Sequence, residues 1–96
     1  MTPRETYVEN VKLALDELND ELRAFETRVT HTRQDERERY ALELAKLRAH
    51  ARVATAKWQA LAASSERTWH QLVPDVEHAR NAFSDAFHEF RTHLGR

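Results

Sequence analysis

Apolar residues recur along the chain at alternating steps of three and four positions, which is the spacing of a heptad stripe on an α-helix. The first stripe lies within residues 3–30 and consists of Val8, Val11, Leu15, Leu18, Leu22, Phe25 and Val29. Just before it, Thr2, Pro3 and Glu5 supply a capping box and a first-turn proline. The pattern therefore predicts a long amphipathic helix at the start of the chain.

Two more stripes follow with the same spacing. The second lies within residues 33–63 and consists of Tyr40, Leu44, Leu47, Ala51, Ala54, Trp58 and Leu61. The third lies within residues 66–94 and consists of Trp69, Leu72, Val76, Ala79, Phe83, Phe87 or Ala86, Phe90 and Leu94. Ser64 and Ser65 supply an N-cap for the third segment, and Gly95 supplies a stop. We therefore expect one domain, residues 1–96, with three helical segments.

The helical pattern is weakest at two places. Pro74 falls inside the third segment, so we expect a kink or a short break over residues 71–73. Residues 30–39 are polar, and their threonines are poor helix formers. Thr32, with Asp35 three residues later, can restart a helix there, although no Gly, Pro or Asn forces an interruption.

The stripes fit one another if the chain folds back on itself twice. Reversal near His31 pairs Val8 with Ala54 and Leu15 with Leu47. A second reversal near Ser65 pairs the segments as Trp69 with Leu61, Phe83 with Leu47, and Phe90 with Tyr40. Small residues then face larger ones in most layers, as close packing requires. The sequence predicts an all-α, antiparallel, coiled-coil-like bundle of three segments.

Charge also favours this arrangement. The first segment is acidic, whereas residues 44–57 carry Lys46, Arg48, Arg52 and Lys57 and no acid. The antiparallel register places Asp16 near Lys46 and Glu5 near Lys57. Exposed pairs of this kind contribute only about 0.2–1 kcal/mol each, so they favour an orientation without driving the fold.

A second arrangement satisfies the same stripes. The first two segments can form one continuous helix, and a two-fold axis near His31 then pairs two chains in a swapped homodimer with the same layers. The poor turn chemistry of Thr30, His31 and Thr32 favours this homodimer over a hairpin. Both arrangements remain open from the sequence.

Composition limits the function. The chain has 96 residues, a net charge of −1 and no cysteine, so it lacks the basic footprint of a nucleic-acid binder and any thiolate site. Its apolar runs are too short for a signal sequence or a membrane span. We therefore expect a cytoplasmic protein with no nucleic-acid partner and no integral membrane association.

Histidines are the one residue type that suggests a binding site. His78, Asp85 and His88 share one outward side of the third segment at spacings that can bring imidazole and carboxylate onto one metal. Metal sites in helical bundles, however, project inward and use Glu as the main ligand. We therefore assign no metal, cofactor or catalytic residue. His50 and His70 are expected to border the core, and His31 to lie at the turn or the two-fold axis.

Motifs of catalysis are missing from the sequence. It contains no glycine-rich phosphate loop, no H-E-x-x-H pattern, no nucleophile elbow and no inward pair of carboxylates, so we expect a protein that is not an enzyme. Four apolar residues fall outside the stripes and are expected at the surface, where a cluster of them marks a contact patch. They are Leu13, Leu42, Val53 and Val73.

The aromatic side chains allow two interpretations. Trp58, Trp69, Phe83, Phe87 and Phe90 have helical spacing and matching partners, which favours a place in the core. The alternative is a stripe that faces lipid when the bundle opens and the final helix lies on a membrane or granule surface.

The chain resembles a group of small bacterial coiled-coil proteins, some of which carry a stress-response label. The resemblance rests on the opening Tyr7-Val8-Glu9-Asn10-Val11-Lys12, on Leu15-Asp16-Glu17-Leu18-Asn19, and on Trp69, Leu72, Ala79, Phe83 and Phe87 near the end. Pro74 and the number of histidines depart from the pattern of the group. The resemblance implies a cytoplasmic, stress-associated helical protein and brings no catalytic or ligand residue with it. The expected function is that of a non-enzymatic interaction or scaffolding protein, and the expected assembly is a homodimer.

Overall fold

Three antiparallel helices form the structure, a computed structural model that describes residues 2–94, apart from the side chain of Leu94. Helix α1 covers Pro3–Thr30, α2 covers Gln34–Ala62 and α3 covers Trp69–Leu94. The three lie side by side in an elongated bundle with extents of 51 × 19 × 19 Å. The all-α bundle of three segments is therefore confirmed. Gly95, the expected stop, lies outside the described residues.

The core of the bundle consists of stripe residues. Its buried side chains are Val11, Leu15, Leu22, Phe25, Val29, Leu44, Leu47, Ala51, Ala54, Leu61, Trp69, Val76, Ala79, Phe83, Phe87 and Phe90. At the position where two residues were possible, Phe87 is buried and Ala86 only packs against the core. Tyr7 and Val73 also pack against it, although neither belongs to a stripe. Val73 is thus half-buried, and its expected exposure was wrong.

The start of α1 is capped as the sequence predicts. The Thr2 hydroxyl accepts a hydrogen bond from the backbone N–H of Glu5 at 3.1 Å, with Pro3 in the first turn. This bond satisfies one of the backbone donors that a helix start leaves without a partner.

The end of α1 reverses the chain. Residues 31–33 form a turn between α1 and α2, so the continuous helix that the sequence favoured was wrong for this chain. Hydroxyl groups satisfy carbonyls at the helix end: Thr32 donates to Val29 at 2.6 Å, and Thr30 donates to Glu26 at 2.8 Å. His31 has φ −89° and ψ 1°, the angles of the third residue of a type I turn, and this position does not require Gly or Asn.

Helix α2 starts one residue later than the expected cap. Its N-cap is Arg33, which makes no side-chain capping bond, rather than Thr32. The Thr32 hydroxyl is engaged by the end of α1, so it is not available to α2.

The second connection contains the serine expected to cap the third helix, but Ser65 lies four residues before the start of α3 and its hydrogen bonds belong to the preceding turn. The Ser65 hydroxyl accepts from the N–H of Arg67 at 3.3 Å, and the Ser65 N–H donates to the Thr68 hydroxyl at 3.2 Å. The regular helix begins only at Trp69 and continues through Pro74, so the expected break over residues 71–73 does not occur.

The register between α1 and α2 differs in detail from the expected one. Trp58 Nε1 donates to the Val8 carbonyl at 2.9 Å, one turn beyond the expected partner, Ala54. Because helix side chains lean back toward the N-terminus, the backbone offset is smaller than one full turn. Between α2 and α3, the expected pairing of Tyr40 with Phe90 is confirmed, with ring centroids 5.8 Å apart.

Neither expected ion pair forms within residues 2–94. Lys57 lies 4.0 Å from Asp75 of α3 instead of Glu5, and Asp16 has no basic partner there. The ion pair between α1 and α2 is Arg48 with Glu26, at 3.3 Å. Long charged side chains reach in several directions, so their pairing depends on small differences in register.

Candidate functional site

The histidine side of α3 does not assemble into a metal site. His78, Asp85 and His88 are all exposed. Across the part of the chain that the structure describes, no group of three or more His, Cys, Asp or Glu side chains is placed to hold a metal ion. The three residues lie along one helix, and no side chain of a neighbouring helix within residues 2–94 joins them as a third or fourth ligand.

The other histidines contact the bundle in different ways. His70 is exposed, which differs from the expected core border, but its ring stacks on that of Trp69 with centroids 3.9 Å apart. His50 is half-buried and lines a shallow cleft of about 200 Å³ between α2 and α3. His31 is exposed at the turn, as expected.

The cleft between α2 and α3 also holds a carboxylate and an imidazole. Glu43 Oε1 lies 3.2 Å from Nδ1 of His93, while the second carboxylate oxygen of Glu43 is buried without a hydrogen-bond partner among the described residues. Lys46 and Glu89 line the same cleft. The pair links the first part of α2 to the last turn of α3.

Tyr7, which belongs to none of the three stripes, joins α1 to α3. The Tyr7 hydroxyl donates a hydrogen bond to a carboxylate oxygen of Glu77. Burial, and then the hydrogen bond and the charge of Glu77, raise the pKa of Tyr7 well above its usual range. The Tyr7 ring also packs against Trp69, with centroids 5.9 Å apart. This contact is structural, because both side chains lie against the core.

The aromatic side chains confirm the core interpretation. Trp69, Phe83, Phe87 and Phe90 are buried. Trp58 is half-buried, and its indole N–H donates a hydrogen bond to the Val8 carbonyl. Phe25 and Phe90 meet edge to face with centroids 5.5 Å apart, a favoured geometry for aromatic pairs.

The side of α2 that points away from the core is also apolar. We call it the outer stripe, and its residues are all exposed: Leu42, Ala45, Ala49, Val53, Ala56 and Ala60. Leu42 is 66% exposed and Val53 is 51% exposed, which confirms the surface position expected for both. Steps of three and four along the helix place the six residues in one line about 27 Å long. Sequence reasoning found the two large residues and missed the alanines, although the same spacing joins them.

Basic side chains border the outer stripe. Lys46 and Arg52 lie on its two sides and are exposed. Neither forms an ion pair with any of residues 2–94. The surface is therefore an apolar line with unneutralised positive charge at its edges.

Helix α1 presents a surface of opposite character. We call it the acidic face, and its residues are all exposed: Glu9, Leu13, Asp16, Glu17 and Asp20. Leu13 is 58% exposed, as expected. Asp20 pairs with Arg23 of its own helix at 3.2 Å, while Glu9, Asp16 and Glu17 have no partner among the described residues.

None of the described helices is long and apolar enough to cross a membrane. Comparison of the chain with family models, curated proteins and solved structures finds no match. The outer stripe and the acidic face are therefore interpreted from their own residues.

Proposed function

We propose that this protein is a non-enzymatic helical interaction protein that associates with itself, and that the outer stripe of α2 is its binding surface. The observation that carries the proposal is that α2 is apolar on two opposite sides. One side holds core residues such as Leu47 and Ala54, and the other exposes Leu42 and Val53 to solvent. A helix of a self-sufficient bundle needs only one apolar side, since the rest of its surface faces water.

The outer stripe suits a helix as its partner. Its four alanines allow another helix to approach closely, within the 8–10 Å that separates packed helix axes. Leu42 near one end and Val53 further along supply larger apolar side chains. A contiguous exposed apolar surface on a small protein is typical of a site of association.

The titratable side chains that join neighbouring helices support a non-enzymatic role. Tyr7 is engaged with Glu77, and Glu43 is engaged with His93, so each joins two helices. These contacts give both pairs a structural role between helices, although one carboxylate oxygen of Glu43 has no hydrogen-bond partner among the described residues.

The setting of this function follows from the resemblance described above. A bacterial, cytoplasmic, stress-associated scaffold is consistent with a small chain that has no cysteine and 32% charged residues. The homodimer proposed here forms by docking two folded bundles. It does not use the swapped continuous helix, because each chain already reverses at residues 31–33.

Light scattering over a hundredfold dilution of the full chain tests this proposal. We expect the mass of two chains at high concentration and a shift toward one chain on dilution. Val53→Glu places a charge in the outer stripe and should give one chain throughout, whereas Asn81→Glu on the exposed side of α3 should behave like the parent protein. A parent protein with the mass of one chain at every concentration would contradict the proposal.

The lipid-surface alternative predicts a different result. It requires aromatic residues such as Phe83 and Phe87 to leave the core, where both are almost fully buried. Flotation with anionic vesicles checks it: we expect the chain to stay at the bottom of the gradient, and co-flotation at low salt would favour the lipid role.

A further inference from the structure

The two exposed surfaces of the bundle complement each other in charge. The outer stripe of α2 is bordered by Lys46 and Arg52, and the acidic face of α1 surrounds Leu13 with carboxylates. Both surfaces carry charges that find no partner within residues 2–94. Each copy of the chain therefore carries the two complementary surfaces of an interface. The outer stripe and the acidic face cannot contact each other within one copy, because both face away from the core.

Pairing the outer stripe with a second outer stripe is disfavoured. An antiparallel pair centred on the stripe brings Lys46 of one copy near Lys57 of the other and Arg48 near Arg52. A parallel pair places the bases on one flank of the stripe beside the bases on the opposite flank of the partner's stripe. Like charges across an interface repel each other, so an acidic surface suits the stripe better than a second stripe does.

The charged residues of the two surfaces also lie at matching positions along the bundle axis. The contacts of Trp58 with Val8 and of Arg4 with the Ala62 carbonyl set which residues of α1 and α2 lie side by side. Continued along the helices, this register puts Leu13 close to the level of Val53, and Asp20 close to the level of Lys46. A two-fold axis parallel to the helices preserves these levels between two copies.

We propose that the acidic face of α1 in one copy docks antiparallel onto the outer stripe of α2 in a second copy. The two-fold axis repeats the contact, so α2 of the first copy receives α1 of the second. Leu13 and the stripe supply the apolar contact, and the carboxylates beside Lys46 and Arg52 set partner and orientation. This inference rests on the proposed function, because it names the partner of the same stripe.

Charge exchange between two variants of the full chain tests the pairing. The first variant is Asp16→Lys with Asp20→Lys, and the second is Lys46→Glu with Arg52→Glu. Each variant alone meets like charge in both halves of the interface, so its self-association should weaken by more than about tenfold. An equimolar mixture restores opposite charges in both halves and should recover a dimer of one copy of each.

The controls separate this inference from the proposed function. Circular dichroism establishes that each variant keeps its helices, and Asp16→Asn with Asp20→Asn replaces the lysine variant if that variant does not fold. Asp85→Lys on α3 makes the same type of substitution once, outside the interface, and should leave association unchanged. For the parent chain, raising the salt concentration should weaken association, because salt screens exposed charges.

Each outcome decides between the two proposals. If the charge variants dimerise like the parent chain while Val53→Glu does not, the stripe mediates association but the α1 partner is wrong. If the mixture fails to restore a dimer that each variant has lost, the α1 partner is wrong as well. A parent chain that is always monomeric, or that floats with anionic vesicles as a monomer, overturns both proposals.

Discussion

Trp58 Nε1 donates a hydrogen bond of 2.9 Å to the carbonyl oxygen of Val8, and this bond ties the second helix to the first. The carbonyl belongs to the regular part of α1, so the indole uses a second lone pair of an oxygen already engaged in the helix. The ring of Trp58 packs against the core while its polar edge reaches the backbone of α1. The residue thereby helps to set the register on which the levels of the exposed charges depend.

Replacing this indole tests its contribution. Trp58→Phe keeps an aromatic ring and removes the donor, so we expect the free energy of unfolding to fall by about 1 kcal/mol. Urea denaturation followed by circular dichroism measures the change. A loss too small to measure would mean that the bond to Val8 does not help hold α2 in place.

The centre of the core should tolerate substitution least. Phe83 is 0% exposed, so Phe83→Ala should lower the free energy of unfolding by about 3–5 kcal/mol through lost burial and the cavity it leaves. Leu42→Ala removes an apolar side chain that is 66% exposed and should change the stability of the monomer by less than about 0.5 kcal/mol. Denaturation of the two variants at concentrations where the parent is monomeric makes the comparison, and equal losses would contradict the assigned core.

Alkaline pH should destabilise the protein partly through Tyr7. Its pKa is raised in the folded state by burial and by Glu77, whereas the unfolded chain ionises near the ordinary value of 10.0. The stabilising contribution is therefore complete below pH 10.0 and is lost as the pH rises from there toward the folded pKa.

A pH series of denaturation curves measures this contribution. Above pH 10.0, the free energy of unfolding of Tyr7→Phe should fall less steeply with pH than that of the parent protein, because position 7 then has no phenol to ionise. Tyr40→Phe is the control, since it removes a tyrosine that packs on Phe90. Parallel pH curves for the parent and Tyr7→Phe would show that the phenol makes no such contribution.

Pro74 lies inside α3 at a cost to stability. It has no backbone N–H to donate to the His70 carbonyl, and its ring crowds the preceding turn. Pro74→Ala restores the donor and should raise the free energy of unfolding by about 1–3 kcal/mol. Gln71→Ala, at an exposed position nearby, should change it by less than about 0.5 kcal/mol. Thermal unfolding checks both, and a destabilised Pro74→Ala would mean that the proline fits this turn.

The candidate surface was only partly predictable. Leu13, Leu42 and Val53 fall outside the heptad stripes, and this alone placed them at the surface. Ala45, Ala49, Ala56 and Ala60 are small and have good helix propensity, so nothing in their residue type points to a contact. Their alignment with Leu42 and Val53 became visible once the buried side of α2 was known, and Val73 shows that an off-stripe position can still lie against the core.

The sequence by itself determined which side of each helix is buried. Alternating steps of three and four place the stripe residues along one side, and burial of that apolar side is the dominant favourable term in folding. The tertiary structure decided the reversal at residues 31–33, the register and the pairing of Tyr7 with Glu77. The turn uses ordinary backbone angles and threonine hydroxyls, which leave no distinctive residue signature. Register and ion pairing depend on the balance of many contacts that are each worth about 1 kcal/mol or less, and no local pattern in the sequence encodes that balance.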